Sequence, residues 1–200
     1  MNALWLLLLT ALPNPNPWQA IKDSDGVQVW ARAAPDSPVR EVKAQSVIEA
    51  PVSRVWYVLG DLEHYTEFMP YVEEARVLSS AGPEARYEYL RLDPPLVSKR
   101  DYVLKTTLEV NEQTGVYVRR FEAITDRGPP PRDGTVRLTL VDGSWTLERI
   151  DDTHTLATYW LHTDPGGSLP AWITNKANNT SVPDLLAAVR QRSLNPAWKR

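Results

Sequence analysis

Two hundred residues are enough for one domain with a real core, and 42% hydrophobic with 24% charged residues excludes a disordered chain. A net charge of −3 leaves no cationic footprint, which sets nucleic acid aside as a partner. The absence of cysteine excludes disulfides, thiol catalysis, zinc–thiolate sites and cysteine-linked lipid anchors.

The chain begins with "ALWLLLLTAL", Ala3 to Leu12, an apolar run too short to span a bilayer as a helix. Its length matches the apolar core of a secretory signal peptide, although no Lys or Arg precedes it; the other reading is a short apolar N-terminal helix. Residues 1–12 are therefore expected to be a signal or N-terminal helix, 13–17 a Pro/Asn spacer, 18–194 the domain and 195–200 a tail. A cleaved signal implies a periplasmic or secreted protein; without one the chain is cytoplasmic.

"GVQVWARA" (Gly26–Ala33) and "VREVKAQSVIEA" (Val39–Ala50) alternate as half-buried antiparallel strands do. From Ala50 to Pro70 the period becomes helical, with Val52, Val55, Trp56 and Leu59 on one face and a break expected at Gly60. Strands are then expected over "YVEEARVLSS", "EARYEYLRLD", "SKRDYVLKTTLEVN", "GVYVRRFEAITD", "GTVRLTLVDGSWTLERI" and "THTLATYWLHTD". In the third of these, Arg100, Tyr102, Leu104, Thr106 and Leu108 share a face. Asp142-Gly143 reads as a hairpin turn or a bulge. The chain ends in a helix from Ser168 to about Leu194. Ser168 is its expected N-cap, Pro170 falls in its first turn, and Pro183 is placed to kink or split it. Consecutive antiparallel strands followed by one long terminal helix make α+β the fold class.

The junction "DPGGS" (Asp164–Ser168) lacks the glycine and lysine spacing of a phosphate loop, and Gly-Ser-Leu-Pro is not a nucleophile elbow. His64, His154 and His162 share no ligand spacing, so no metal is expected. Glu73-Glu74 and Asp151-Asp152 are neighbours whose side chains point apart. Arg100-Asp101 has two readings: ordinary cross-strand ion pairs, or one member turned into a cavity to orient a ligand's polar head. The positive signal is eight Trp and eight Tyr against two Phe, spread over many elements. Apolar bodies with polar handles suit the wall of a pocket.

Four pieces together resemble the START (StAR-related lipid transfer) family of the helix-grip, Bet v 1-like superfamily, in a bacterial-type single-domain form. They are "DGVQVWAR" after Trp18, "IEAPVSRVWYVLGDLEHYTEFMP", "YEYLRLDPPLVSKRDYV", and "GSWTLERIDDTHTLATYWLHTDPGGSLPAWITN". The resemblance implies a curved antiparallel sheet wrapped around a long C-terminal helix, with an internal hydrophobic cavity. By position it implies ligand contacts from Arg100, Tyr102, Trp160, His162, Trp172, Ile173, Leu185 and Val189; Tyr89 and Trp145 are expected beside them as pocket-wall aromatics, and Lys176 as a polar group that orients the ligand. Some sterol-binding members keep a buried acid–arginine pair whose arginine follows the Arg-Asp motif. Here Tyr-Val-Leu-Lys-Thr-Thr follows Arg100-Asp101, so that pair is not expected.

The expected function is binding, and transfer between membranes, of one lipid or other hydrophobic molecule, without catalysis or cofactor. Membrane contact is expected to be transient, no nucleic acid is involved, and the sequence is silent on oligomeric state. The alternative is a polyketide cyclase- or aromatase-like enzyme acting on an enclosed substrate.

Overall fold

Alternation of apolar and polar side chains makes most of this chain sheet, and two short changes of period make the helices. The computed structural model describes residues 17–167 and 169–196. The strand Gln19–Ser24 (β1) lies at the sheet edge and is mostly exposed. It departs from the expectation of a first strand at Gly26, because an exposed edge carries no alternation to read. Val27–Ala34 (β2) and Ser37–Ile48 (β3) follow, burying Val27, Val29, Ala31, Val42, Ala44 and Ile48 on one side.

Val52–Gly60 (α1) buries Val52, Val55, Val58 and Leu59. It ends at the break expected at Gly60 and passes through a 3-10 turn, Leu62–His64, into the short Tyr65–Phe68 (α2). A meander comes next: Val72–Ser80 (β4), Ala85–Leu92 (β5), Lys99–Asn111 (β6) and Val116–Ile124 (β7), each antiparallel to the one before it. Thr135–Arg137 (β8) pairs parallel with the start of β6. Leu140–Arg149 (β9) and Thr155–Asp164 (β10) then close the sheet in the order β1-β2-β3-β10-β9-β7-β6-β5-β4. Residues 134–150, expected as strand turned or bulged at Asp142-Gly143, instead divide between Arg137 and Leu140, with β8 on β6 and β9 between β7 and β10.

Asp142-Gly143 is neither a turn nor a bulge. It pairs in continuous register within β9, opposite Glu122-Phe121 and His162-Leu161. Glycine is needed there for contact: a Cβ at Gly143 would lie 2.5 Å from the Phe121 ring and 2.6 Å from the Trp160 carbonyl oxygen.

The last element is Ala171–Leu194 (α3), with Pro170 as its N-cap. The helix starts three residues later than expected, and Ser168, like residues 1–12 and 197–200, lies outside the described residues. Pro183 does not split it. The missing N–H removes one hydrogen bond, but Val182, Leu186 and Val189 are fully buried on either side and hold the helix to the core. α3 packs on β3, β2 and α1. No described helix is long and apolar enough to cross a membrane.

Candidate functional site

β6 runs along the concave face of the sheet and links two contrasting ends. Period-2 geometry puts Arg100, Tyr102, Leu104 and Thr106 on that face, in line with Leu90 and Glu88 on β5. At about 3.4 Å per residue, Arg100 and Thr106 stand roughly 20 Å apart along the strand.

At the Thr106 end the interior is charged. Glu88 is 2% exposed, and its carboxylate accepts from Thr106 Oγ1 at 2.9 Å and from Arg119 Nη2 at 2.6 Å, with Arg86 Nε as a third partner. Arg86 also donates to the Gly60 carbonyl at 3.3 Å, where the C-terminal end of the α1 dipole is negative. Burial and the neighbouring Arg119 lower the Arg86 pKa. The arginine that the resemblance places after Arg100-Asp101 is absent, yet a buried acid–arginine pair still forms. The arginine is Arg119 of β7 instead of a residue following Arg100-Asp101 on β6, and Thr106 meets the carboxylate as a hydrogen-bond donor.

The middle of the face is aromatic. Trp145 and Tyr159 lie with ring centroids 4.7 Å apart, Phe121 stacks on Tyr159 at 6.2 Å, and Trp56 meets Tyr117 edge-on at 5.6 Å. Burial raises the pKa values of Tyr102 and Tyr159, and pushes Tyr65 up to about 12. The Tyr65 hydroxyl donates to the Leu59 carbonyl at 2.6 Å. Tyr102, Ala123, Val136 and Leu161 keep part of their surface accessible although they pack against the core.

At the Arg100 end the face meets a cleft of about 960 Å³, lined by Tyr71, Asp93–Ser98, Arg100, Val136, Gly167 and Leu169. Arg100 is 6% exposed. Its Nε donates to the Pro165 carbonyl at 3.4 Å and its Nη1 to the Ser98 carbonyl. No described carboxylate pairs with it, and burial lowers its pKa. Tyr71 and Leu96 line this cleft with φ of 63° and 67°, two of the three non-glycine residues in the left-handed region among those described. Such backbone strain gathers at ligand sites.

The structure separates the expected ligand contacts. Tyr102 and Trp145 face the interior, Ile173 and Leu185 are half buried, and Val189 is sealed in the core. Arg100 lies at the cleft. Tyr89, Trp160 and His162 are on the convex side, because each alternates with a core residue: Leu90, then Tyr159 and Leu161. The Tyr89 hydroxyl donates to Asp101 Oδ2 at 2.9 Å, and Arg137 Nε meets Oδ1 of the same carboxylate at 2.7 Å. Burial acts to raise the Asp101 pKa, but hydrogen bonds from Arg137 and Tyr89 outweigh it and hold the pKa below the usual range. Of the two readings of Arg100-Asp101, Asp101 makes the ion pair and Arg100 faces the cleft. Trp160 Nε1 donates to Glu41 Oε2 at 2.9 Å, beside Arg32, and His162 pairs across to Asp142. The side chains of Trp172 and Lys176 lie outside the described residues.

Glu88 and Arg119 were legible only through parity: each is a charge placed in step with core residues, Leu90 on β5 and Tyr117 and Phe121 on β7. Among the described residues no group of three or more His, Asp or Glu could hold a metal ion.

A family model described as "Polyketide cyclase / dehydrase and lipid transport" matches residues 48–190. A solved STAR-related lipid transfer protein from Xanthomonas axonopodis is 33% identical and superposes with a TM-score of 0.81, covering 89% of this chain and 99% of that one. Rat phosphatidylcholine transfer protein is 25% identical, covering 84% of this chain and 80% of its own. A Streptomyces aromatase/cyclase shares the fold at 18% identity, with a TM-score of 0.54 over 80% of this chain and 99% of that one.

Proposed function

Because this chain belongs to the START (STAR-related lipid transfer) family, we propose that it binds one lipid on the concave face of its sheet and carries it without catalysis. The observation that carries this reading is the run of half-buried apolar side chains, Tyr102, Ala123, Val136 and Leu161, beside a 960 Å³ cleft. A sheet face that does not fill itself gains from a hydrophobic guest: at about 25 cal/mol per Å², hiding a few hundred Å² is worth several kcal/mol. The likeness to a phosphatidylcholine transfer protein favours a phospholipid. Loading from a bilayer would bring Leu96, fully exposed at the cleft rim beside Pro94 and Pro95, against the membrane surface.

The chemistry of the face supports carriage over turnover. Its phenols are held protonated by burial, and its one described carboxylate, Glu88, is occupied by Arg86, Arg119 and Thr106. His162 is on the convex side, while His64 and His154 are half exposed and held by Asp61 and Asp151. General acid–base work needs a group poised near the operating pH. The buried phenols, held protonated, do not offer one.

Native mass spectrometry of the full chain, purified from expressing cells without detergent, tests the reading. The expected result is a mass excess of one lipid, exchangeable against added phospholipid vesicles. Protein that is ligand-free as isolated and takes up nothing from a vesicle panel overturns it.

A further inference from the structure

Arg100 is a buried cation without a counter-charge, and that is an unusual thing to leave in a fold. Taking a guanidinium out of water is costly unless it is paired. Every other arginine of the interior here is paired: Arg86 and Arg119 share Glu88, and on the convex side Arg137 grips Asp101. Arg100 has only two backbone carbonyls, those of Pro165 and Ser98. Of the five N–H groups of a guanidinium, they engage Nε and one group of Nη1, and no described residue accepts from Nη2. The remaining donors belong to a side chain that lines the cleft.

Two more features point the same way. Leu169 brings the N-terminal end of α3 to the same cleft, and that helix has no acidic side chain in its first turn. The positive end of its dipole is thus uncompensated from within the helix. The cleft's own carboxylate, Asp93, lies 3.3 Å from Lys99 Nζ, which also binds Glu73 at 2.6 Å, so its charge is answered locally.

We propose that the Arg100 cleft is the headgroup subsite of the carried lipid and takes a phosphate diester, two of whose oxygens meet the guanidinium fork while the acyl chains follow β6 past Tyr102 and Leu104. This rests on the lipid-carrier reading and names the class of lipid. A fatty-acid carboxylate would satisfy the fork equally well but leave most of a 960 Å³ cleft empty. A phosphodiester carries its glycerol and alcohol substituents into that space. The same anion competes with the Pro165 carbonyl for Arg100. Pro165 immediately precedes Gly166 and Gly167, whose φ values are 63° and 70°. Headgroup binding therefore releases the Pro165 end of the strand-to-helix junction from a side chain that ties it to β6.

The test uses the full chain with two probes of identical acyl chains: vesicles containing dioleoylphosphatidylcholine, and the same vesicles containing dioleoylglycerol, which has no phosphate. The native chain is expected to take up the phospholipid at least ~10-fold better than the diacylglycerol, since hydrogen bonds to a charged group are worth about 1.5–3 kcal/mol. Arg100→Gln should bring phospholipid uptake down to the diacylglycerol level and leave diacylglycerol uptake unchanged. The retained uptake reports that the variant is folded, and Arg100→Lys should recover part of the difference. Parallel loss of both lipids in Arg100→Gln and Arg100→Lys would make Arg100 a structural tie and overturn the headgroup assignment, as would no loss of either. Millimolar inorganic phosphate that binds the native chain but not Arg100→Gln, and leaves phospholipid uptake by the native chain unchanged, would assign the subsite to a free anion instead. A native chain that takes up neither lipid sinks the carrier reading itself, and the headgroup with it.

Discussion

The two ends of α3 sit on different kinds of surface. Toward its C-terminus Val182, Leu186 and Val189 are at most 3% exposed, among core residues that include Val29, Ala44, Leu147 and Ala157. Toward its N-terminus Ile173 is only half buried. That end borders the cleft and follows a junction whose Pro165 carbonyl accepts a long hydrogen bond from Arg100. Close packing is what makes a helix immovable, since a filled interior gives up dispersion contacts as soon as it shifts. One end of this helix therefore anchors by packing, while the other, tied to β3 by the hydrogen bond from the Arg40 backbone N–H to Asn175 Oδ1 at 3.1 Å, is the less filled end and the one that borders the cleft.

The sharpest way to break that comparison is to loosen the anchored end. Leu186→Ala removes a fully buried side chain and should lower unfolding free energy by about 3 kcal/mol, read by urea denaturation. Lipid uptake per folded molecule should stay unchanged. If uptake falls in proportion to stability, the two ends are one cooperative unit and the division is wrong.

Much of this arrangement could be read from residue pattern. The meander, the helix interruption at Gly60 and the terminal helix all follow from period and breakers, because one-sided burial imposes period 2 or 3.6 on the chain. What escaped reading was set by distant partners. β8 exists because Arg137 reaches Asp101 across 36 residues, which no local window contains. Gly143 looked like a turn because Asp-Gly often is one; its true constraint is the Phe121 ring from the neighbouring strand. The resemblance puts Trp160 and His162 at the ligand, whereas parity with Tyr159 and Leu161 sets them on the opposite face. Tyr89 failed for the same reason. A Trp or Tyr on a strand fits a pocket wall or a convex-face cluster equally well, and here Trp18, Trp30 and Trp160 sit with Arg32, Lys43 and Glu41 on the outside.

A smaller effect is expected from the convex clamp that supports the mouth. Asp101 is 1% exposed, its carboxylate fixes Arg137, and its carbonyl accepts from Leu138, so it holds the segment that carries Val136 to the cleft. Asp101→Asn should cost about 2 kcal/mol at pH 7 by weakening charge-assisted hydrogen bonds. The folded-state pKa of Asp101 is depressed, so its contribution is present above the unfolded carboxylate pKa and lost as pH falls through the folded one. The native chain should accordingly lose stability on acidification below about pH 4, and the variant should lose less. Identical acid profiles for the two would remove Asp101 from the list of groups that hold the mouth.

The smallest change in stability should accompany the clearest change in ligand handling. Ile173 lies in the first turn of α3, and burying a whole aliphatic side chain is worth about 1.5–3 kcal/mol, so truncating a half-buried one should cost roughly 1 kcal/mol. If the concave face beside it holds acyl chains, the missing methylenes are lost mainly to the bound lipid. Ile173→Ala should then release a preloaded lipid to acceptor vesicles several-fold faster while shifting the urea midpoint only slightly. Leu186→Ala should show the reverse, a large midpoint shift with an unchanged release rate. Measured side by side, the two variants separate a helix that merely covers the core from one whose N-terminal end also covers a guest. Equal behaviour in both assays would mean that α3 is anchored along its whole length and that the lipid leaves by another route.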